Sequence, residues 1–329
     1  MKYFFLFVLL FSVWNSSSLA QSVRLLAEFE QISWRGLSVW DDSLVVVSGQ
    51  KGKIGFSKNG GRTWEFTTIK NQEQRDFRDI EMISESVWIT MAVGSPGVIL
   101  RTENQGKDWV EVYKDDDPNV FLDDLLTNSN RAWCLGDPLN GSFYILESID
   151  KGKTWKKMNF PHQPKEGEAF FAASGSNMIF SQKKLWIVSG GKTSRLLSNS
   201  YELTLPLVKG RESTGANAID YAGDRMIIVG GDFSRDSIAE GSIAIVKREA
   251  NSWQSFIPLQ LPTGYRSGIS WVYDFSWITV GMNGVDYSTD NGLRWKKLDA
   301  PGFHTVKRAK HGRAVFMAGA KGRIGKLIL

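Results

Sequence analysis

Few side chains in this 329-residue chain could do chemistry, and their types narrow what that chemistry is. Three histidines, at 162, 304 and 311, and a single cysteine, Cys134, offer no zinc-ligand spacing and no intramolecular disulfide. Cys134 lies in RAWCLG, a strand-like segment that predicts a buried, inert thiol. What remains is a set of arginines and acids: Arg35, Arg78, Arg266 and His304 on one side, Asp123 and Glu168 on the other. Guanidinium groups grip carboxylates in a bidentate fork, whereas two carboxyl groups at a suitable separation can hydrolyse a glycosidic bond. Which applies depends on how the chain brings these six residues together.

Other motifs read as turns or solvated surface. Four G-x-x-G pieces (Gly49 to Gly52, Gly94 to Gly97, Gly281 to Gly284, Gly319 to Gly322) do not sit between a strand and a helix, so they are not phosphate loops. GDFSRDSIAEG spaces Asp232, Asp236 and Glu240 four apart, which matches no calcium loop. Asp115-Asp116-Asp117-Pro118, Lys156-Lys157 and Lys296-Lys297 read as exposed charge. No metal or cofactor is expected.

The elements that carry the candidates come from a repeat. SKNGGRTW (Ser57 to Trp64), TENQGKDW (Thr102 to Trp109), SIDKGKTW (Ser148 to Trp155) and STDNGLRW (Ser288 to Trp295) share one pattern, and their first three tryptophans are 45 and 46 residues apart. A period in the forties that holds only strand-like segments signals four-stranded propeller blades. The chain from Gln21 to Leu329 accommodates seven. Each octapeptide is a turn between the third and fourth strands of a blade. Asn59, Asn104, Asp150 and Asp290 have short polar side chains that accept hydrogen bonds from turn N–H groups. Gly61, Gly106, Gly152 and Gly292 supply positive φ, and Trp64, Trp109, Trp155 and Trp295 bury apolar surface. Blades four and five have lost the motif but keep their apolar strands. The last unit stops after three strands, so Val23 to Glu30 is expected to supply the fourth and leave no open edge. The expected fold is all-β: a single seven-bladed propeller of antiparallel blades over 21–329, closed by the N-terminal strand.

Residues 1–20 read differently. MKYFFLFVLLFSVWNSSSLA has one Lys, an apolar run from Tyr3 to Trp14 and a small-x-small end at Ser18-Leu19-Ala20, the features of a cleaved signal peptide. The run is too short to span a bilayer at about 20 residues per helix. The mature chain is therefore expected to be exported, periplasmic or secreted, with no integral membrane span. A formal net charge of +5 is too small to argue for nucleic acid.

The four turns resemble the Asp-box, or BNR repeat, S-x-D-x-G-x-T-W, found in sialidases, sortilin-type receptors and bacterial propellers. LGDPLNGSF, AFFAASGS, VGGDFS, GYRSG and VDYSTDNGLRW, in that order, make the chain similar to exported bacterial propellers related to the photosystem II stability and assembly factors. That resemblance covers the whole mature chain. It implies a seven-bladed, non-enzymatic monomer that binds a protein partner on the face opposite the boxes. The rival class is a sialidase-like glycoside hydrolase. A sialidase would carry F/Y-R-I-P in the first blade, where this chain reads SWRGLSVW.

In a propeller the first strand of each blade lines the central channel. Aligning the units on Leu37, Ile80, Leu125, Phe170, Ile219, Ile269 and Val306 puts Arg35, Arg78, Asp123, Glu168, Asn217, Ser267 and His304 two positions upstream, with Arg266 one out of register. The predicted mouth is basic across blades seven, one and two, and acidic on blades three and four. Trp34, Phe77 and Tyr265 are expected beside the charges as apolar contacts. Two readings stand: ordinary blade-to-blade ion pairs, or a site for a partner's acidic side chain or peptide carboxylate.

Overall fold

Apolar residues that alternate within a strand can be buried on both faces only if both faces are covered, and here every sheet is sandwiched between two others. In the computed structural model, which describes residues 21–249 and 252–329, the chain forms seven sheets. Blade one comprises Trp34–Val39, Val45–Gly49, Lys53–Ser57 and Glu65–Thr68. In its second strand Val45 and Val47 pack toward blade seven, while Val46 packs toward blade two. Each of the seven blade interfaces holds one such apolar cluster. The expected seven-bladed propeller of four-stranded blades is the fold observed.

Blade seven closes the ring. Thr305–Arg308, Val315–Ala318 and Ile324–Ile328 are joined by the N-terminal Ser22–Ala27, with Ser22 opposite Ile328 and Arg24 opposite Lys326. The proposed signal peptide, 1–20, lies outside the described residues. Among the described residues no helix is long and apolar enough to cross a membrane.

The four box turns have the hydrogen bonding that their residue types require. Asp150 Oδ1 accepts the N–H groups of Lys153 and Thr154 at 3.1 and 3.0 Å, and the Ser148 hydroxyl at 2.8 Å. Gly152, at φ 74°, donates to Ser148 Oγ at 2.9 Å, and the Trp155 indole donates to the Gly152 carbonyl at 3.1 Å. Asn59, Asn104 and Asp290 repeat the pattern, each accepting the N–H four residues on at 2.9 Å. Ser57, Thr102 and Ser288 likewise accept from Gly61, Gly106 and Gly292.

Blade four departs from expectation. Its inner strand is Met178–Ser181, not a segment starting at Phe170. Glu168–Ala169 instead pairs with Gly190–Gly191, which bridges to blade five and makes that sheet six-stranded. The residues between run across the channel. Ser174 O accepts the Thr305 hydroxyl at 2.9 Å, and Gly175 O accepts Lys307 Nζ, both on blade seven. Ser176 O then accepts the Ile219 N–H of blade five at 2.8 Å. Gly175, at φ 56°, lies so close to Asp79 of blade two that a Cβ there would fall 2.2 Å from the Asp79 carboxyl carbon. AFFAASGS thus plugs the propeller axis and separates one channel mouth from the other.

Candidate ligand site at the channel mouth

Inner strands enter the mouth through a shared irregularity. In blades one, two, three and five the pairing of the first two strands slips by one residue at Arg35, Arg78, Asp123 and Asn217. In blades six and seven, Ser267 and His304 donate their N–H groups to the Val280 and Ala318 carbonyls, each at 2.8 Å. Val280 and Ala318 also face Gly268 and Thr305 in the regular ladder. A β-bulge sets two residues against one and re-aims the extra side chain. Here six bulge-type residues point at one pocket.

That pocket has a volume of about 290 Å³, and its wall includes Arg35, Arg78, Asp123, Asn217, Ser267, Tyr265 and His304. Its floor is the plug, Phe170 to Ala173. Arg78 is held by Asp76, Nε to Oδ2, at 2.8 Å. Arg35 makes no side-chain hydrogen bond or ion pair among the described residues. Burial, then the neighbouring Arg78, lowers its pKa, because both disfavour a second positive charge. His304 is pushed down to about 3 by burial and by the two arginines, so it is neutral at pH 7. Asp123 is fully buried and neither carboxyl oxygen completes a hydrogen bond. Burial, then Asp137 and Asp124, raises its pKa, although Arg78 and the Ala172 amide ease the charged form. Tyr265 donates to Asn217 Oδ1 at 2.7 Å. The pocket therefore offers an unpaired guanidinium, a second cation beside it and a carboxyl group biased toward its protonated, hydrogen-bond-donating form.

Four expected contributors lie elsewhere. Arg266 is turned away and saturated: Asp286 Oδ2 at 2.7 Å from Nε, the Tyr265 carbonyl at 2.7 Å, and Asn283 and Thr263 each at 2.6 Å. Glu168 is buried under blade four, where both its oxygens bind Arg195, the Nε contact being 2.8 Å. It left the mouth because the plug displaced the strand on which it was aligned. Trp34 and Phe77 are fully buried in the interfaces of blades seven–one and one–two. Each precedes a bulge residue, and strand alternation sends its side chain to the other side. The apolar rim is instead Phe121, Phe171, Phe233 and Met282. Phe171 and Phe233 meet edge to face at 5.7 Å. The paired aromatics of AFFAASGS and the Phe of VGGDFS were the available signal, but only the plug and the 231–241 loop bring them together. That loop is ordered by Asp232, which binds Ser213, Ser234 and Arg235 at 2.6 to 2.9 Å.

Fold, box turns and mouth together define a BNR-type seven-bladed propeller. Residues 36–118, in the first two blades, match the family described as Photosynthesis system II assembly factor YCF48. The solved structure described as YCF48 bound to D1 peptide superposes with a TM-score of 0.65 at 14% identity, covering 94% of this chain and 95% of that one. YCF48 from Cyanidioschyzon merolae gives 0.65 at 14%, covering 93% and 98%. The WD40 propeller domain of Doa1 gives 0.58 at 11%, covering 94% and 97%. No curated protein sequence matches the chain.

Proposed function

We propose that this protein is an exported, non-enzymatic, monomeric propeller that captures an acidic or carboxylate-bearing segment of a protein partner in the channel-mouth pocket. The carrying observation is Arg35, a half-buried guanidinium that makes no hydrogen bond or ion pair among the described residues and feels only the nearby Asp76 carboxylate, which Arg78 already binds, aimed by a bulge into a pocket that Arg78 and Asp123 also line. A buried cation without a counter-charge is costly, and a bidentate carboxylate from outside would relieve that cost. Phe171, Phe233 and Met282 would cover the apolar part of the segment, the arrangement of anchor and rim seen in peptide recognition. Peptide capture by a propeller of this shape has a precedent in the solved complex with D1 peptide. Removal of 1–20 on export is part of the same reading.

The test is recovery of a defined protein from the native envelope with the tagged mature chain, followed by transfer of its acidic segment to a synthetic peptide. Capture by the native protein and not by Arg35→Ala/Arg78→Ala supports the proposal. Equal capture by both refutes it. Turnover of sialosides or aryl glycosides, lost on Asp123→Asn, would establish a glycoside hydrolase instead. Glu168 is unsuited to partner Asp123 in that chemistry, because Arg195 binds both its oxygens.

A further inference from the structure

Below the plug the channel opens again. A cavity of about 660 Å³ is formed by the far ends of the inner strands of blades three to seven, on the face that carries the box turns. Ile179, Phe180, Ile219 and Ile269 supply apolar wall, and Lys307, Arg308, Lys310 and Asp220 supply charge. Most of that charge is already used. Lys310 is paired with Glu81 and also donates to Met82 O at 2.7 Å and Thr127 Oγ1 at 2.8 Å. Lys307 donates to the plug at Gly175 O and is ringed by Glu81, Asp79, Asp124 and Asp220. Asp220 accepts the Tyr221 and Trp271 N–H groups at 2.8 and 2.7 Å.

Arg308 is the least engaged: the Asp220 carboxylate is near enough to feel its charge, but no hydrogen bond or ion pair joins them. Its guanidinium carbon stands 4.9 Å from the centre of the Trp271 ring, a cation–π contact that uses one face of the group and leaves its in-plane N–H donors unengaged. Its Nε is buried without a hydrogen-bond partner, and it forms no ion pair among the described residues. The Trp271 indole is fixed in turn by donation to Asp274 O at 3.0 Å. A guanidinium held on an aromatic platform beside an apolar cavity is preorganised for an anion with a greasy body.

We infer that the lower mouth binds a small amphipathic anion: a carboxylate or phosphate monoester carried on an alkyl or aryl group, its head on Arg308 and its body against Ile179, Phe180 and Tyr221. This site is independent of the partner pocket, since the plug stands between them.

Calorimetric titration of the protein with octanoate and with octyl phosphate separates the two head groups, with octylamine as the cationic counterpart. One molecule of an anionic probe should bind per chain, and octylamine should not. Arg308→Gln should weaken the anion by about tenfold or more, as loss of one charge-assisted contact requires. Arg308→Lys should recover only part of that loss, and Arg35→Ala/Arg78→Ala should have no effect. Tyr221→Ala, at an exposed lining position, should weaken octanoate more than acetate, and this keeps the test open if Arg308 variants fold poorly. Failure of both anions to bind, unchanged binding by Arg308→Gln together with Tyr221→Ala, or loss in the Arg35/Arg78 double variant would overturn the assignment. The first two results leave capture at the upper mouth untouched, and the third would move the anion there.

Discussion

Two arginine–carboxylate pairs and the upper mouth use the same residue types to opposite ends. Arg195 grips both oxygens of Glu168, and Arg266 converges two donors on Asp286 Oδ2; both pairs are buried, with further donors and acceptors filling the remaining valences. Such pairs fix geometry but gain little over apolar packing, because desolvation offsets most of the attraction. At the mouth, Arg35, Arg78 and Asp123 line one pocket, yet both Asp123 carboxyl oxygens are buried without a hydrogen-bond partner, and Arg35 makes no hydrogen bond or ion pair among the described residues. A fold that closes two ion pairs with full hydrogen bonding has the means to close a third. That it leaves this one open is the observation on which the proposed capture rests.

The largest effect should come from removing one half of a closed pair. Asp286→Ala strands a buried guanidinium and should cost about 3–5 kcal/mol in urea unfolding, and Glu168→Ala should cost less, because Arg195 keeps Glu202 at 3.0 Å. A loss below about 1 kcal/mol would show that these pairs are not the closed units described. Next in size is the effect at the open site. Arg35→Ala/Arg78→Ala should abolish partner capture, and Arg35→Ala alone, which breaks no hydrogen bond or ion pair, should leave unfolding free energy within about 0.5 kcal/mol of the native protein. Relief of repulsion between the two cations acts in the stabilising direction.

A third measurement uses pH. Burial raises Asp124 to about 7 and Asp220 to about 6, both above the roughly 3.9 of an unfolded aspartate. A raised carboxyl pKa means that the folded state holds protons the unfolded state has released. Its stabilising contribution is complete below about pH 4 and is lost as pH rises through 6 to 7. Unfolding free energy from these groups should therefore fall from pH 4 to 7, and Asp220→Asn should make the fall between about pH 4 and 6 shallower. A rise across that window in the native protein, unchanged by Asp220→Asn, would contradict the burial assigned to them. Smallest of all should be Asp123→Asn. Burial favours the protonated carboxyl of Asp123, which an amide mimics as a donor, so melting temperature and capture should change little. Loss of capture at pH 7 by Asp123→Asn would mean that the site uses the charged carboxylate.

Much of the fold and part of the mouth are legible in the amino-acid sequence. The box turns are built from hydrogen bonds spanning two to four residues, as between Ser148, Asp150, Gly152 and Thr154, so the octapeptide carries nearly all the information for its own shape. The upstream offset also finds Arg35, Arg78, Asp123, Asn217, Ser267 and His304, because each inner strand enters through the same bulge and the offset recurs from blade to blade. It fails at Glu168, where apolar Phe170 and Phe171 imitate a strand start but belong to the plug. Arg266, one residue out of that register, is expected at the mouth on its charge alone, but the Asp286 that binds it is 20 residues away and meets it only once blade six is folded.

The period, the number of blades, the turn chemistry and the closing strand thus follow from the sequence, since all are properties of local hydrogen bonding and of alternation that repeats along the chain. It takes the folded molecule to establish that residues 170–176 cross the axis, that Arg195 and Arg266 are satisfied, and that Arg35 and Arg308 are not. Whether a buried charge has a partner is settled by groups far apart in sequence converging in a low-dielectric interior, and no local pattern encodes that convergence.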